Sequence, residues 1–239
     1  MIDIEAREKR VGHHYDLAVT HHGAGDDSEA INEFRSALRE ADRLYAAISR
    51  ELGQMLRDRE NHEEALNAFQ SALSRVPEDG ACVYEAGVTL NRLGRFDEAL
   101  EKLEEALDHD RNRATIYQEI GYAYRKRGWY SEALHALEQA LELEEERPSF
   151  HRDIALILSK LGRPEEAIAH MQKALTLLSD RGSAPSRGDA SSSVVPTEAA
   201  WRHELGGLYE NSGKLKKALK AYEAAVSLEP AHPAHNHRL

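Results

Sequence analysis

The sequence predicts an all-α protein, an α-solenoid of about six helix–turn–helix repeats, on three observations. First, an eleven-residue pattern recurs: EEALNAFQSAL at 63–73, DEALEKLEEAL at 97–107, SEALHALEQAL at 131–141 and EEAIAHMQKAL at 165–175. Looser copies are SEAINEFRSAL at 28–38 and KKALKAYEAAV at 216–226. Second, the leading alanines Ala30, Ala65, Ala99, Ala133, Ala167 and Ala218 are spaced by 35, 34, 34, 34 and 51 residues, the last being one period of 34 plus 17. Third, a separate stripe with a small residue at its centre stands twelve residues before each of those alanines.

That earlier stripe is the first helix of each repeat. Its small residue is Ala18, Gly53, Gly87, Gly121, Ala155 or Gly206, preceded by Leu17, Leu52, Ala86, Ile120, Ile154 or Leu205. Gly25, Gly94, Gly128, Gly162 and Gly213 then share one position, where a helix C-terminus and a tight turn favour positive φ. Arg59 is assigned to that place in the second copy. The second helix carries alanines at offsets 0 and 7, with Phe34, Phe69, Leu103, Leu137, Met171 or Tyr222 at offset 4. Offsets of 0, 4 and 7 fall on one helix face, where small ends admit a neighbour and the large centre fills the gap. One hairpin cannot bury such stripes alone, so stacked neighbours share a continuous core.

Composition agrees and excludes alternatives. Hydrophobic residues make up 41%, charged residues 31% and aromatics only 6%, which suits a helical protein better than a β-rich or disordered one. A net charge of −11 argues against a polyphosphate partner, which rewards clustered Lys and Arg. No apolar run has the ~18 residues of a membrane span. The charged start MIDIEAREKR lacks the apolar stretch of a secretory signal, and the expected compartment is the cytoplasm. Cys82 stands alone, without a disulfide or thiolate partner, and reads as a buried helix residue.

Thirteen histidines invite a metal hypothesis, yet His62-Glu63-Glu64-Ala65-Leu66 has Leu66 where a helical zinc motif needs its second histidine. His232, His235 and His237 are placed on a tail. No phosphate-binding glycine loop or activated nucleophile is recognisable, so no cofactor, no metal and no enzyme activity are expected.

The combined pattern resembles the tetratricopeptide repeat family. Leu52, Gly53, Leu56, Ala65, Phe69, Ala72 and Pro77 carry the resemblance in the second copy. Leu205, Gly206, Tyr209, Ala218, Tyr222, Ala225 and Pro230 carry it in the sixth. The family's leading tryptophan is replaced by Ser49, Val83, Tyr117, His151 and Arg202. The resemblance covers nearly the whole chain: repeats 1–5 within 1–181, at about 11–44, 46–79, 80–113, 114–147 and 148–181, and repeat 6 at 199–232. The Ser-, Gly- and Pro-rich stretch 182–198 is expected to be a flexible insertion and 233–239 a disordered tail.

The resemblance implies a right-handed solenoid whose first helices line a concave groove. It implies a non-enzymatic module that binds a peptide segment or helix of a protein partner there. Carried over to these positions, the groove residues are Tyr15, Arg50, Gln54, Arg57, Tyr84, Asn91, Gln118, Tyr122, Arg125, Arg152 and Ser159. Position 6 is acidic in all six repeats (Asp16, Glu51, Glu85, Glu119, Asp153, Glu204), so the face sums to near neutrality. The family's two-carboxylate clamp is rejected, because Glu85, Thr115 and Glu119 stand where it needs polar or cationic groups. The first alternative is a self-assembling scaffold, a homo-oligomer joined through Leu215, Leu219, Tyr222 and Val226 on the last helix. The second, RNA binding, is opposed by the net charge.

Overall fold

The computed structural model describes residues 4–109, 114–180 and 198–228, which form eleven helices. The chain divides into two compact units, Met1–Arg111 and Asn112–Leu239. In the first unit α1 (Ile4–Ala24) pairs with α2 (Asp27–Asp58). Further along, α2 pairs with α3 (His62–Arg75), and α4 (Gly80–Arg92) pairs with α5 (Phe96–His109). The second unit contains three hairpins: α6 (Ala114–Arg127) with α7 (Tyr130–Leu143), α8 (Pro148–Lys160) with α9 (Pro164–Asp180), and α10 (Glu198–Asn211) with α11 (Leu215–Leu228). The predicted insertion 182–198 falls outside the described residues apart from Glu198, which opens α10, and so does the tail 233–239. Among the described residues no helix is long and apolar enough to cross a membrane.

The repeated turn has one construction. In Gly94 the backbone takes φ 76°, its N–H reaches the Asn91 carbonyl at 3.2 Å, and the Arg95 N–H reaches back to the Leu90 carbonyl at 3.0 Å. This closing pair satisfies carbonyls that a helix end leaves unpartnered. The second copy corrects the sequence reading. Arg59 has φ −96°, and the positive-φ residue is Glu60, at 63°. Counting back five residues from each leading alanine gives glycine elsewhere and Glu60 here. Its N–H still bonds the Arg57 carbonyl at 2.8 Å, and Asn61 N–H bonds that of Leu56 at 3.0 Å. The left-handed conformation is thus kept without glycine's steric freedom.

Helices within a hairpin interlock through a small residue facing a large one. A Cβ added to Gly53 would lie 2.6 Å from the Phe69 ring, and one on Gly87 would lie 2.8 Å from Leu103 Cγ. Gly121 stands in the same relation to Leu137, and Gly206 to Tyr222. The absent side chain is what permits the approach. The alanines at offsets 0 and 7 of the second helices are all buried.

One element departs from the hairpin scheme. The sequence reading closes the first repeat at 44 and opens the second at 46. In the structure α2 runs unbroken through both as a 32-residue helix. The stretch Glu40-Ala41-Asp42-Arg43-Leu44-Tyr45 contains neither Gly nor Pro, and side chains secure it as helix. Arg43 donates to Glu40 one turn back at 2.7 Å, and Arg10 on α1 donates to the same carboxylate at 3.2 Å. Asp42 accepts from Arg75 on α3 at 3.3 Å.

The interlock gives a direct test. Tyr222 cannot swing away from Gly206 freely, because its hydroxyl donates to Glu210 at 2.8 Å. Gly206→Ala is therefore expected to lower stability by about 1–3 kcal/mol, as overpacking in a close-packed core does. Urea unfolding followed by circular dichroism would measure it, and an unchanged midpoint would contradict the close fit.

Candidate functional site

The first helices carry most of the predicted binding residues, and the structure shows what each one touches. In the first unit Arg50 donates twice to Asp79, at 2.8 and 3.1 Å, and Asp79 also caps α4 by accepting from the Cys82 N–H. Gln54 donates to Glu85 at 2.9 Å, and Arg57 donates to the other oxygen of the same carboxylate. In the second unit Gln118 donates to Asp153 at 2.8 Å, and Arg152 grips both oxygens of Glu204, with its Nε at 2.8 Å. Burial raises the Asp153 carboxyl above its ordinary range, against the opposing pull of Arg152 and the Gln118 hydrogen bond. Glu85, Asp153 and Glu204 all occupy position 6 of the next hairpin. The acids that neutralise this face therefore clasp one hairpin to its neighbour: Glu85 accepts from Gln54 and Arg57, Asp153 from Gln118 and Glu204 from Arg152, while Arg50 is held by Asp79 at the cap of α4.

Other predicted residues are distributed differently. Asn91 is buried, which removes it from any ligand surface. Tyr84 is half-buried on α4. Tyr15 is exposed on an apolar patch of α1 and α2, its ring edge-on to Phe34 at 5.9 Å. On the last helix Leu215 and Leu219 are exposed and Val226 half-buried. Tyr222, expected there as an association residue, is buried, because offset 4 faces its own hairpin partner. Burial pushes the Cys82 thiol up to about 12, and its sulfur lies 3.5 Å from the Phe69 carbonyl, so it behaves as a core residue. Among the described residues no cluster of three His, Cys, Asp or Glu side chains is placed to hold a metal.

Three first helices, α6, α8 and α10, converge in the second unit on a pocket of about 290 Å³. Arg125 and Ser159, both predicted, line it with Leu156, Lys160, Glu204 and Gly207. Arg125 stands 5.3 Å from the ring centre of Tyr122, and Lys160 supplies a second cation. Arg152 is shared between Glu204 and Asp153, the latter at 3.6 Å, and on the rim itself two cations, Arg125 and Lys160, stand against the one carboxylate of Glu204. Lys160 was legible from its register but Tyr130 was not, because it enters from the start of the second helix, α7.

Position 4, where the family has tryptophan, holds His151 in the fifth hairpin. Its Nε2 lies 3.2 Å from the Glu145 carbonyl, which can only accept, so Nε2 carries the proton. Its Nδ1 then accepts from His170 Nδ1–H, 3.1 Å away. Burial lowers the affinity of both rings for a further proton; Lys173 adds to this at His151, and His151 itself adds to it at His170.

Two family profiles, both described as tetratricopeptide repeat, match the chain, one over 15–77, 50–114 and 119–184 and the other over 202–232. No curated protein matches the sequence. Among solved structures, the chain is similar to MamA (residues 41 to the end) from Desulfovibrio magneticus RS-1, at 21% identity and TM-score 0.64, covering 79% of this chain and 97% of that one. PilW, described as a type IV pilus biogenesis factor, matches at 16% identity and TM-score 0.69 over 94% of this chain and 96% of its own. YrrB, described as having an unusual peptide-binding site, matches at 21% identity and TM-score 0.58 over 79% and 89%.

The histidine pair yields a signed pH effect. The unfolded chain takes up these protons near the ordinary value of 6.5, whereas the folded rings resist them to lower pH. Protons therefore favour the unfolded state, and the contribution to stability is full above about pH 6.5 and lost below it. His170→Gln keeps a donor for His151 and removes one titrating ring. The fall in melting temperature between about pH 7.5 and 5.5 should shrink in this variant. Parallel pH curves for the two proteins would show that the pair is not responsible.

Proposed function

From the premise that the chain belongs to the tetratricopeptide repeat family, whose members are generally non-catalytic interaction scaffolds, we propose that it binds an extended acidic segment of a protein partner at the second unit's pocket. The observation that carries this reading is the convergence of Arg125 and Lys160 on an opening whose acid, Glu204, is already matched by Arg152. A carboxylate entering there meets two cations against one lining anion, Glu204, which Arg152 already holds. Leu156, Leu208 and the ring of Tyr130 supply apolar wall beside it, while Ser159 and Asn211 offer hydrogen bonds.

The volume limits the ligand. At about 290 Å³ the opening is at the small end of ligand sites and accommodates one or two side chains rather than a helix. An Asp or Glu next to a leucine-sized residue fits that chemistry. Gly207 at position 9 leaves room for the segment's backbone to pass. Tyr122, with Arg125 at 5.3 Å and Lys126 at 5.4 Å from its ring centre, extends the surface on α6 with stiff apolar area beside charge. Affinity for a single segment of this kind is on the order of micromolar, about −8 kcal/mol. The likeness to YrrB is one of fold, and the reading rests on the pocket.

Selection from a displayed random-peptide library tests it. Wild-type protein should enrich segments with Asp or Glu adjacent to an apolar residue, and binding should weaken as salt rises. An Arg125→Glu, Lys160→Glu double variant should bind those peptides about tenfold or more weakly, a difference of roughly 1.4 kcal/mol. Enrichment of basic or purely apolar peptides, or equal binding by the variant, would refute the assignment.

A further inference from the structure

Compared position by position, the first helix of the second hairpin is an exception. At register position 3 it has Ile48, where α4, α8 and α10 have Cys82, Phe150 and Trp201. Position 7 is Leu52, against Ala86, Ile154 and Leu205, and position 10 is Met55, against Thr89, Ile157 and Leu208. All nine later residues are buried, whereas Ile48, Leu52 and Met55 are 47, 50 and 59% exposed. The later residues are covered because the preceding second helix packs there: α3 on α4, α7 on α8, α9 on α10.

The face that should do the covering is bare too. Ile31 and Leu38 are 50 and 66% exposed, while the equivalents of Ile31 on α3, α7 and α9 (Leu66, Leu134, Ile168) are buried. Both faces belong to α2, which is one continuous helix. A rigid rod cannot fold its first half onto its second, so within one chain the two faces never meet.

These faces form a single stripe. Ile31, Leu38, Tyr45 and Leu52 recur every seven residues, and Phe34, Ala41, Ile48 and Met55 recur three residues after each. This is the a/d pattern of a coiled coil sustained for four heptads, within about 120° of the helix surface. We propose that two copies of the chain pair antiparallel along α2, with the two-fold axis beside Arg43. In that alignment Ile31 meets Met55 of the second copy, Phe34 meets Leu52, Leu38 meets Ile48, and the small Ala41 meets the large Tyr45. Each a position faces a d position, and no polar residue enters the seam.

The occupant is a second copy because the stripe is complementary to itself in this direction. The contact it makes is the one α2 lacks: a second-helix face on a first-helix face, supplied in both directions at once. An entry point is already formed. An apolar pocket of about 540 Å³, lined by Tyr15, Phe34, Leu38 and Ala41 with Val11 and Gly12 of α1, lies where Leu52 and Ile48 of the second copy arrive. Asp42 beside the axis is held by its own Arg75, which lessens its repulsion of its counterpart.

Light scattering after size exclusion, on the full chain at about 50 μM, reads the assembly directly. A mass of twice 26.8 kDa is expected. Leu38→Glu and Leu52→Glu, each at an exposed position and so harmless to the single-chain fold, should each give single-chain mass with unchanged circular dichroism. Leu219→Glu on α11 should leave the dimer intact. Direction is read by oxidation: Leu38→Cys with Ile48→Cys on one chain should form interchain disulfides, while Leu38→Cys alone should not, the native Cys82 being buried. A single-chain mass for wild type, dimers that survive Leu38→Glu and Leu52→Glu, dissociation by Leu219→Glu, or efficient cross-linking by Leu38→Cys alone would each overturn the proposal.

Discussion

The structure depends on the fit of a large side chain into the place of a missing one. Where α10 has Gly206, α11 presents Tyr222, and Gly53 receives Phe69 in the same way. Removing a Cβ lets two helices approach until the alanines on either side of the large residue are also covered. Opposite glycine the large residue varies among Phe, Leu and Tyr because the facing surface is backbone, which constrains volume more than shape. Tyrosine adds a hydroxyl that must be matched, and Glu210 accepts it. The rest of the packing follows, since a hairpin closed at this distance presents its second helix to the next first helix in a fixed register.

That register explains the electrostatics of the candidate binding face. Counted as formal charge, cations at positions 5, 12 and 13 nearly cancel the acids, six of which stand at position 6. In space the cancellation is local: Arg57 and Gln54 converge on Glu85, and Arg152 grips Glu204 with two parallel bonds. Half-buried bidentate pairs of this kind fix geometry more than they add stability. They also consume the donors that would otherwise attract a ligand. At the second unit's pocket cations outnumber acids, with Arg125 and Lys160 against Glu204, and the proposed acidic segment draws on that excess.

The hairpins, their glycine turns and the core alanines were legible because each rests on a residue type at a fixed spacing, and spacing survives without coordinates. Residues that depend on cross-hairpin distance were not. Asn91 lies at a binding position by register yet is buried, and Tyr222 was grouped with Leu219 although offset 4 turns it inward. The pairing of position 6 acids left a trace, an acid in all six copies, but charge counting treats that as an offset and not a clasp. Tyr130 left none, because it reaches the pocket from a helix that periodicity assigns to the core. The continuity of α2 was signalled only by an absence, the lack of Gly or Pro in Glu40–Tyr45, which is a weaker cue than a breaker that is present.

The first interval between repeats is 35 residues, whereas those among the next four are 34. From the large residue of one second helix to position 7 of the following first helix, the usual separation is 17 residues, as from Phe69 to Ala86 or Leu137 to Ile154. Across a turn that number has no angular meaning. Between Phe34 and Leu52 the separation is 18, and both lie in one helix. Eighteen residues at 3.6 per turn make five whole turns, so the two fall on the same line; seventeen would place them about 100° apart. The extra residue and the missing turn therefore act together. Without the first the two bare faces would point in different directions, and without the second they would close on each other within the chain. With both, the contact that joins successive hairpins elsewhere becomes one that a single chain displays along one straight edge.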